Sequence, residues 1–390
     1  MHPAQTLERL APHLERVGIT RVANITGLDR VGIPVAVAVR PNARSLSVSQ
    51  GKGLDIDAAK ASAVGESLEA HHAEFNDCLV RLESYEHLRR TLPSVDPERL
   101  PLSRTTTYTP WQPIPWTLGR SLPGGEPVWV PYELVHANAC LPRVPGSGCF
   151  VCSTNGLAAG NTIGEATLHA LCEAVERDAC ALWEHRPWDE RRATELDPAT
   201  VSDPSCRELL DRFDAADIDV LVWDVTSDLP LPCYRVIVLD RQADPLIAPY
   251  PAAFGAGCHP DPGVALTRAL TEAAQSRLTV ISGARDDLTR ERYRAFQSPQ
   301  AIRTYREMAR SWSGRASFTE PVLPSAGSVD EDLSLCLDAL ADAGLGEVVV
   351  VDLSRDDLPV SVVRVLALDL EGPVESPSYR PGPRALARQP

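Results

Sequence analysis

The stretch from Asn155 to Arg177 constrains this chain most. Asn155-Gly156-Leu157-Ala158-Ala159-Gly160-Asn161 reads as a glycine-rich turn that opens directly into a long helix. On a 3.6-residue period, Glu165, His169, Glu173 and Glu176 share one face, while Leu168, Leu171, Val175, Ala179 and Leu182 share the other. Like charges three residues apart repel by roughly 0.2–0.5 kcal/mol in water, and by more when confined. A bridging cation removes that repulsion. Hard, oxygen-rich sites suit Mg²⁺, which reaches proteins through one or two carboxylates together with a nucleotide's phosphates. The plain alternative is an acidic face turned to solvent.

A second copy of the pattern weighs against that alternative. Ser62-x-x-x-Glu66-x-x-Glu69 lies on another predicted helix, capped near Asp57 and running past Leu79. Its apolar stripe is Ala61, Val64, Leu68, Phe75 and Leu79, with both glutamates opposite. Two such helices, far apart in sequence, are expected to face each other across one metal–phosphate site.

Composition narrows the classes. The net charge of −15 repels a nucleic-acid backbone, so nucleic acid is excluded as a partner. A nucleotide held through metal ions remains compatible, because the metal reverses the local sign. Lys52 and Lys60 are the only lysines, and neither sits in a phosphate-binding Gly-x-x-x-x-Gly-Lys loop. The start of the chain shows no apolar targeting run, and no stretch approaches membrane-spanning length. The expected location is the cytoplasm, where cysteines stay as thiols. Cys149-Phe150-Val151-Cys152 is a CxxC pair, but no second pair completes four zinc ligands.

Strands and helices alternate without a steady βαβ rhythm, which predicts an α+β fold over residues 1–390 as one catalytic unit. Its parts are an α/β region at 1–99, a proline-rich excursion at 100–127, a core at 128–371 holding the second glutamate helix, and a Pro/Gly-rich tail at 372–390. The excursion, with Trp111 and Trp116, is expected to be irregular but packed. Ile33–Val39, Ile218–Val225, Cys233–Leu239, Glu347–Asp352 and Ser361–Leu366 read as strands. Gln50–Gly53 and Phe254–His259 read as glycine turns. Asp261 and Pro262 start a helix reaching Val280, with Arg268, Glu272 and Gln275 on one face and Arg285 just beyond.

Taken in order, Ser62–Glu69, Asn155–Arg177 and Arg268–Arg285 resemble the motifs of the YcaO-domain family. The resemblance implies a YcaO-type fold of mixed sheets and helices around a central site. It implies use of ATP and Mg²⁺ to phosphorylate a peptide-bond oxygen, so that a nucleophile replaces it. Azolines result when that nucleophile is a neighbouring Cys, Ser or Thr, and thioamides when it is external sulfide. Carried onto this chain, Glu66, Glu69, Glu173 and Glu176 match metal-binding carboxylates. Thr6, Ser62, Asn161, Glu165, Arg177, Arg268, Glu272, Gln275 and Arg285 match positions that contact or support ATP. The chain departs from the family at Ala70, where many members carry arginine, and in lacking a basic contact before Thr6. It also lacks the Pro-x-Pro-x-Pro end of many azoline formers.

Residues 24–34, 47–53 and 379–385 are similar to YcaO proteins that work beside a TfuA-like protein. That subclass implies thioamide formation on a ribosomally made peptide or protein, with a TfuA-like partner and a sulfur donor. A homodimer stays open. Two other readings are a peptide-binding scaffold without ATP use and an acidic metal-binding protein. The sequence names no catalytic base; His169, His259 and the carboxylate of Pro390 are candidates.

Overall fold

The computed structural model describes residues 1–241, 252–318, 325 and 327–388. Helix α1 (Pro3–Leu10) precedes strands β1 (Arg21–Asn24), β2 (Val35–Val39) and β3 (Val48–Lys52), which form an antiparallel sheet in that order. Helix α2 (Ile56–Glu74) follows, with the Asp55 carboxylate accepting from the Ala58 N–H at its start. Next come β4 (Arg81–Ser84), α3 (Tyr85–Leu88), β5 (Pro113–Leu122), β6 (Pro127–Pro131) and β7 (Leu157–Gly160). Helix α4 (Ile163–Glu184) leads to α5 (Trp188–Ala193), β8 (Glu195–Leu196) and α6 (Pro204–Ala215). Then β9 (Ile218–Asp224), β10 (Cys233–Asp240) and β11 (Ala252–Cys258) precede α7 (Pro262–Ser282). The chain ends with α8 (Arg290–Phe296), α9 (Pro299–Ser311), α10 (Val329–Asp342), β12 (Val348–Asp352), β13 (Ser361–Ala367) and α11 (Pro383–Leu386).

Two further antiparallel sheets make up the body. One runs β11-β10-β9-β8; the other runs β4-β5-β12-β13-β7, with β6 also paired to β5. The apolar face of α4 lies between them. Leu168, Leu171 and Val175 share one buried cluster with Leu221 and Trp223 of β9, Ile237 of β10 and Val363 and Val365 of β13. Each such side chain contributes roughly 1.5–3 kcal/mol when removed from water. No described helix is long and apolar enough to cross a membrane.

Close approach of helix to strand sets the geometry of the site. A Cβ on Gly51 of β3 would sit 2.0 Å from the Ala63 nitrogen of α2, and one on Gly255 of β11 would sit 2.1 Å from the Ala269 oxygen of α7. Glycine therefore lets α2 and α7 lie directly on their strands, which fixes where their polar faces point.

Several sequence expectations are corrected on the same grounds. Gln50–Gly53 and Phe254–His259 lie largely in strands, because their glycines serve helix packing and not chain reversal. Residues 157–160 are likewise strand β7, paired to β13, and not a turn. Helix α2 ends at Glu74, leaving Leu79 exposed outside it. The excursion at 100–127 holds the ten-residue strand β5. Its prolines fall at the strand's start against β4, while Arg120, Ser121 and Leu122 pair with β12. The tail is tied down: Arg384 contacts Asp178 at 2.8 Å, and Ala385 is buried.

Candidate active site

The polar faces of α2, α4 and α7 meet at a cavity of about 1080 Å³. Ser62, Glu66 and Glu69 reach it from α2; Glu165, Glu173, Glu176 and Arg177 from α4; Arg268, Glu272 and Gln275 from α7. Thr6, Asn161 and Arg285 also line it. The structure thus gathers in one place every residue that the sequence matched to metal or ATP.

Hydrogen bonds cross between the helices and the strands beneath. Glu69 accepts from the Ala159 N–H at 2.8 Å, tying α2 to edge strand β7. Glu66 accepts from the Gln50 N–H at 3.3 Å, and Gln275 Nε2 donates to the Gln50 carbonyl at 3.2 Å. At the start of α4, Thr162 Oγ1 accepts from the Glu165 N–H at 3.1 Å, while the Glu165 carboxylate accepts from the Asn161 N–H at 2.9 Å. Thr162 thus caps the helix, and the Glu165 carboxylate reaches back one residue further, to Asn161. It fixes Asn161, whose Oδ1 accepts from Thr6 at 3.0 Å and from Arg9 at 2.6 Å.

The electrostatics are those of a site short of positive charge. Burial pushes Glu69 up to about 8 and Glu176 up to about 7, with neighbouring carboxylates adding to both. Glu66 rises to about 7 for the same first reason; it still meets water inside the cavity, but protein surrounds it. Burial raises Glu173 too, against the pull of Arg177 and Arg364. Glu272 goes the other way: burial would raise it, but its ion pair with Lys52 and the charge of Arg177 outweigh that. Arg177 lies 3.4 Å from Glu176 and 3.8 Å from Glu173. Carboxyls that hold protons near neutrality exchange them for a divalent cation at small cost.

Over residues 50–371 the sequence matches the YcaO family, described as an ATP- and Mg²⁺-binding cyclodehydratase. The chain belongs to the YcaO family. It is 37% identical to an uncharacterized protein from the tfuA 3′ region of Rhizobium leguminosarum bv. trifolii, over 98% of this chain and 91% of the relative. A protein of Methanothermobacter thermautotrophicus is 36% identical over 95% of this chain and 94% of its own length. Among solved structures, YcaO from Methanopyrus kandleri bound with AMPPCP and Mg²⁺ superposes with a TM-score of 0.74 at 24% identity, covering 98% and 95% of the two chains. A heterocyclase in complex with substrate and cofactor gives 0.73 at 23% identity over 95% of this chain. This chain spans 52% of that heterocyclase's length. These likenesses establish the α+β YcaO fold.

The cavity's own chemistry fits the YcaO cofactors. Among the described residues, no three Asp, Glu, His or Cys side chains converge tightly enough to hold a metal ion unaided. Arg268 Nε and Gln50 Nε2 are buried without partners, and an unsatisfied buried donor costs roughly 1–3 kcal/mol. Lys52, Arg177, Arg268 and Arg285 line the same cavity as the carboxylates, so donors for an anion's oxygens stand beside carboxylates for a cation.

For the candidate bases the structure is selective. Arg268 Nη2 lies 2.9 Å from His169 Nε2; its charge first, and burial second, hold His169 well below its usual range. The ring is neutral and its Nε2 accepts from Arg268. His259 lies off the cavity wall, its Nδ1 accepting from the Asp261 N–H at 3.0 Å. Pro390 lies outside the described residues. Sequence reasoning missed Lys52, which lines the cavity, and Arg9, which donates to Asn161 from α1. Glu133, Arg143 and Cys152, which also line the cavity, carried no periodic signal.

Proposed function

We propose that this YcaO protein is a cytoplasmic enzyme that activates a peptide bond with ATP and Mg²⁺ and replaces its oxygen by sulfur. The observation that carries the reading is the ring of protonation-prone carboxylates and interleaved cations facing one cavity. In this reading Glu66, Glu69, Glu173 and Glu176 hold Mg²⁺, and Arg177, Arg268 and Arg285 lie along the phosphates. Thr6, Ser62, Asn161 and Gln275 orient the nucleotide, Glu165 keeps Asn161 in place, and Glu272 positions Lys52. ATP supplies the phosphoryl group that turns the amide oxygen into a leaving group.

The balance is simple. Sulfide adds to the carbonyl carbon, the oxygen takes the γ-phosphoryl group, and phosphate departs as the C=S bond forms. The near full-length similarity to a protein of the tfuA 3′ region supports a TfuA-like partner that brings the sulfur. The family description as a cyclodehydratase supports a second route, in which a neighbouring Cys, Ser or Thr closes an azoline ring. Ring closure draws on a side chain already held nearby at high effective molarity, whereas sulfide needs a delivery path.

Mass spectrometry of the treated substrate peptide separates the routes. The enzyme, partner, ATP, Mg²⁺ and sulfide should raise its mass by about 16 Da for oxygen replaced by sulfur; a fall of about 18 Da would mark cyclodehydration and refute thioamidation.

A further inference from the structure

Outside the helices α2, α4 and α7, part of the cavity wall is built around one buried carboxylate. Glu133 is 3% exposed and follows β6. Gly146 and Gly148, at φ +86° and +111°, curl the following loop around it, conformations that side-chain-bearing residues resist. Glu133 consequently accepts from the Gly148 N–H at 2.6 Å and the Cys149 N–H at 3.0 Å. Its Oε1 also accepts from the Cys152 thiol at 3.5 Å. The CxxC pair is therefore asymmetric. Cys152 opens onto the cavity that holds the glutamates, while Cys149 is buried behind it. Arg364, 3% exposed, donates to the Ser153 carbonyl at 2.6 Å, and its buried Nε has no partner. Its charge acts on both Glu173 and Cys152, which links the two walls.

We infer that Cys152 carries the incoming sulfur as a persulfide, with Glu133 as proton acceptor. The inference rests on the thioamide reading above and names its sulfur-delivery site. The substrate class is a sulfane-sulfur donor, a persulfide or polysulfide. In the first step Cys152 Sγ attacks the donor's outer sulfur. A new S–S bond forms, the donor's S–S bond breaks, and the Cys152 proton passes through Glu133 to the departing donor thiolate. In the second step the terminal sulfur of Cys152-S-SH adds to the activated amide carbon, and phosphate leaves with the oxygen. In the third, one thiol of an external dithiol attacks Cys152 Sγ. The S–S bond to the peptide breaks, its electron pair stays on the outer sulfur, and that sulfur leaves as the thioamide. The mixed disulfide left on Cys152 is released as a free thiol when the second thiol of the dithiol closes on the first.

The resting state suits a guarded carrier. Burial first, and the Glu133 charge second, push the Cys152 thiol up to about 11, so it is protonated at neutral pH. A protonated thiol resists stray oxidation, and nucleophilicity appears only when the proton has an acceptor. Cys140 lines the same cavity but has no such carboxylate hydrogen bond; its thiol lies 4.0 Å from the Arg44 carbonyl.

The test uses the full chain with ATP and Mg²⁺, and sodium tetrasulfide as donor. After capture with iodoacetamide, the Cys149→Ser protein should carry about 32 Da of extra sulfur on the Cys152 peptide. Cys152→Ser should lose that adduct, and Cys140→Ser should keep it. In the peptide assay, Cys152→Ser should fail with tetrasulfide and recover when sodium sulfide is supplied directly. A parent that adds sulfur to the peptide while Cys152→Ser does so equally well from tetrasulfide overturns this inference alone. A parent that only removes water from the peptide overturns the thioamide reading and the inference with it.

Discussion

Replacing Glu176 by Gln isolates the electrostatic cost of the site, because this carboxylate is 3% exposed and its replacement keeps the shape. Burial lifts its titration from 4.5 to about 7, and Arg177, the nearest cation, offsets only part of that. Such a rise corresponds to roughly 3 kcal/mol against the charged form. The sign follows from proton binding. The folded chain keeps this proton to about pH 7, whereas the unfolded chain releases it near 4.3. Stability therefore falls as pH climbs through that window and stays low above it. Gln has no proton to lose. Without nucleotide or metal, Glu176→Gln should match the parent near pH 4.5 and exceed it by roughly 3 kcal/mol at pH 8. For a chain of this length that is about 4 °C in Tm, taking roughly 2.1 cal/mol/K of unfolding entropy per residue. Urea titrations across this pH range measure the difference. A Glu176→Gln protein less stable than the parent at pH 8 would refute the reasoning and make the carboxylate a structural partner of Arg177.

Three further outcomes follow from the same geometry. Glu173→Gln should fold as the parent does and lose ATP turnover by orders of magnitude; parental hydrolysis in a phosphate-release assay would place the metal elsewhere. Lys52→Met should raise KM for ATP roughly 10- to 100-fold, the worth of a hydrogen bond to a charged group, and an unchanged KM would make Lys52 only a partner of Glu272. Gly51→Ala places a methyl 2.0 Å from the Ala63 nitrogen, so it should cost about 1–3 kcal/mol in urea unfolding and shift α2; no loss would contradict the close packing of α2 on β3.

What the sequence made legible was what a helix encodes locally. The apolar stripe of α4 and its opposing glutamates follow from 3.6-residue spacing, and Leu168, Leu171 and Val175 are buried as that spacing requires; on α2 only Val64 and Leu68 of the expected stripe are buried, and Ala61 lines the cavity beside Ser62. The glycines misled for a physical reason. A glycine that ends a strand and one that lets a helix approach it look alike in sequence, so Gly51, Gly255 and Gly257 read as turns. The prolines at 113 and 115 hid β5 because its other partner, β12, lies at the far end of the chain. Lys52 and Arg9 joined the site through strand and helix placement that no local pattern records. The Glu133–Cys152 wall depends on an irregular loop with left-handed glycines, and periodicity carries no information about such a loop.

The most direct measurement is a crystal structure of this chain with a non-hydrolysable ATP analogue and Mn²⁺, located by its anomalous signal. The account predicts metal peaks between the phosphates and the carboxylates of Glu66, Glu69, Glu173 and Glu176, at about 2.0–2.3 Å from their oxygens. Metal and nucleotide bound away from the α2, α4 and α7 faces, with these four carboxylates unliganded, would contradict it.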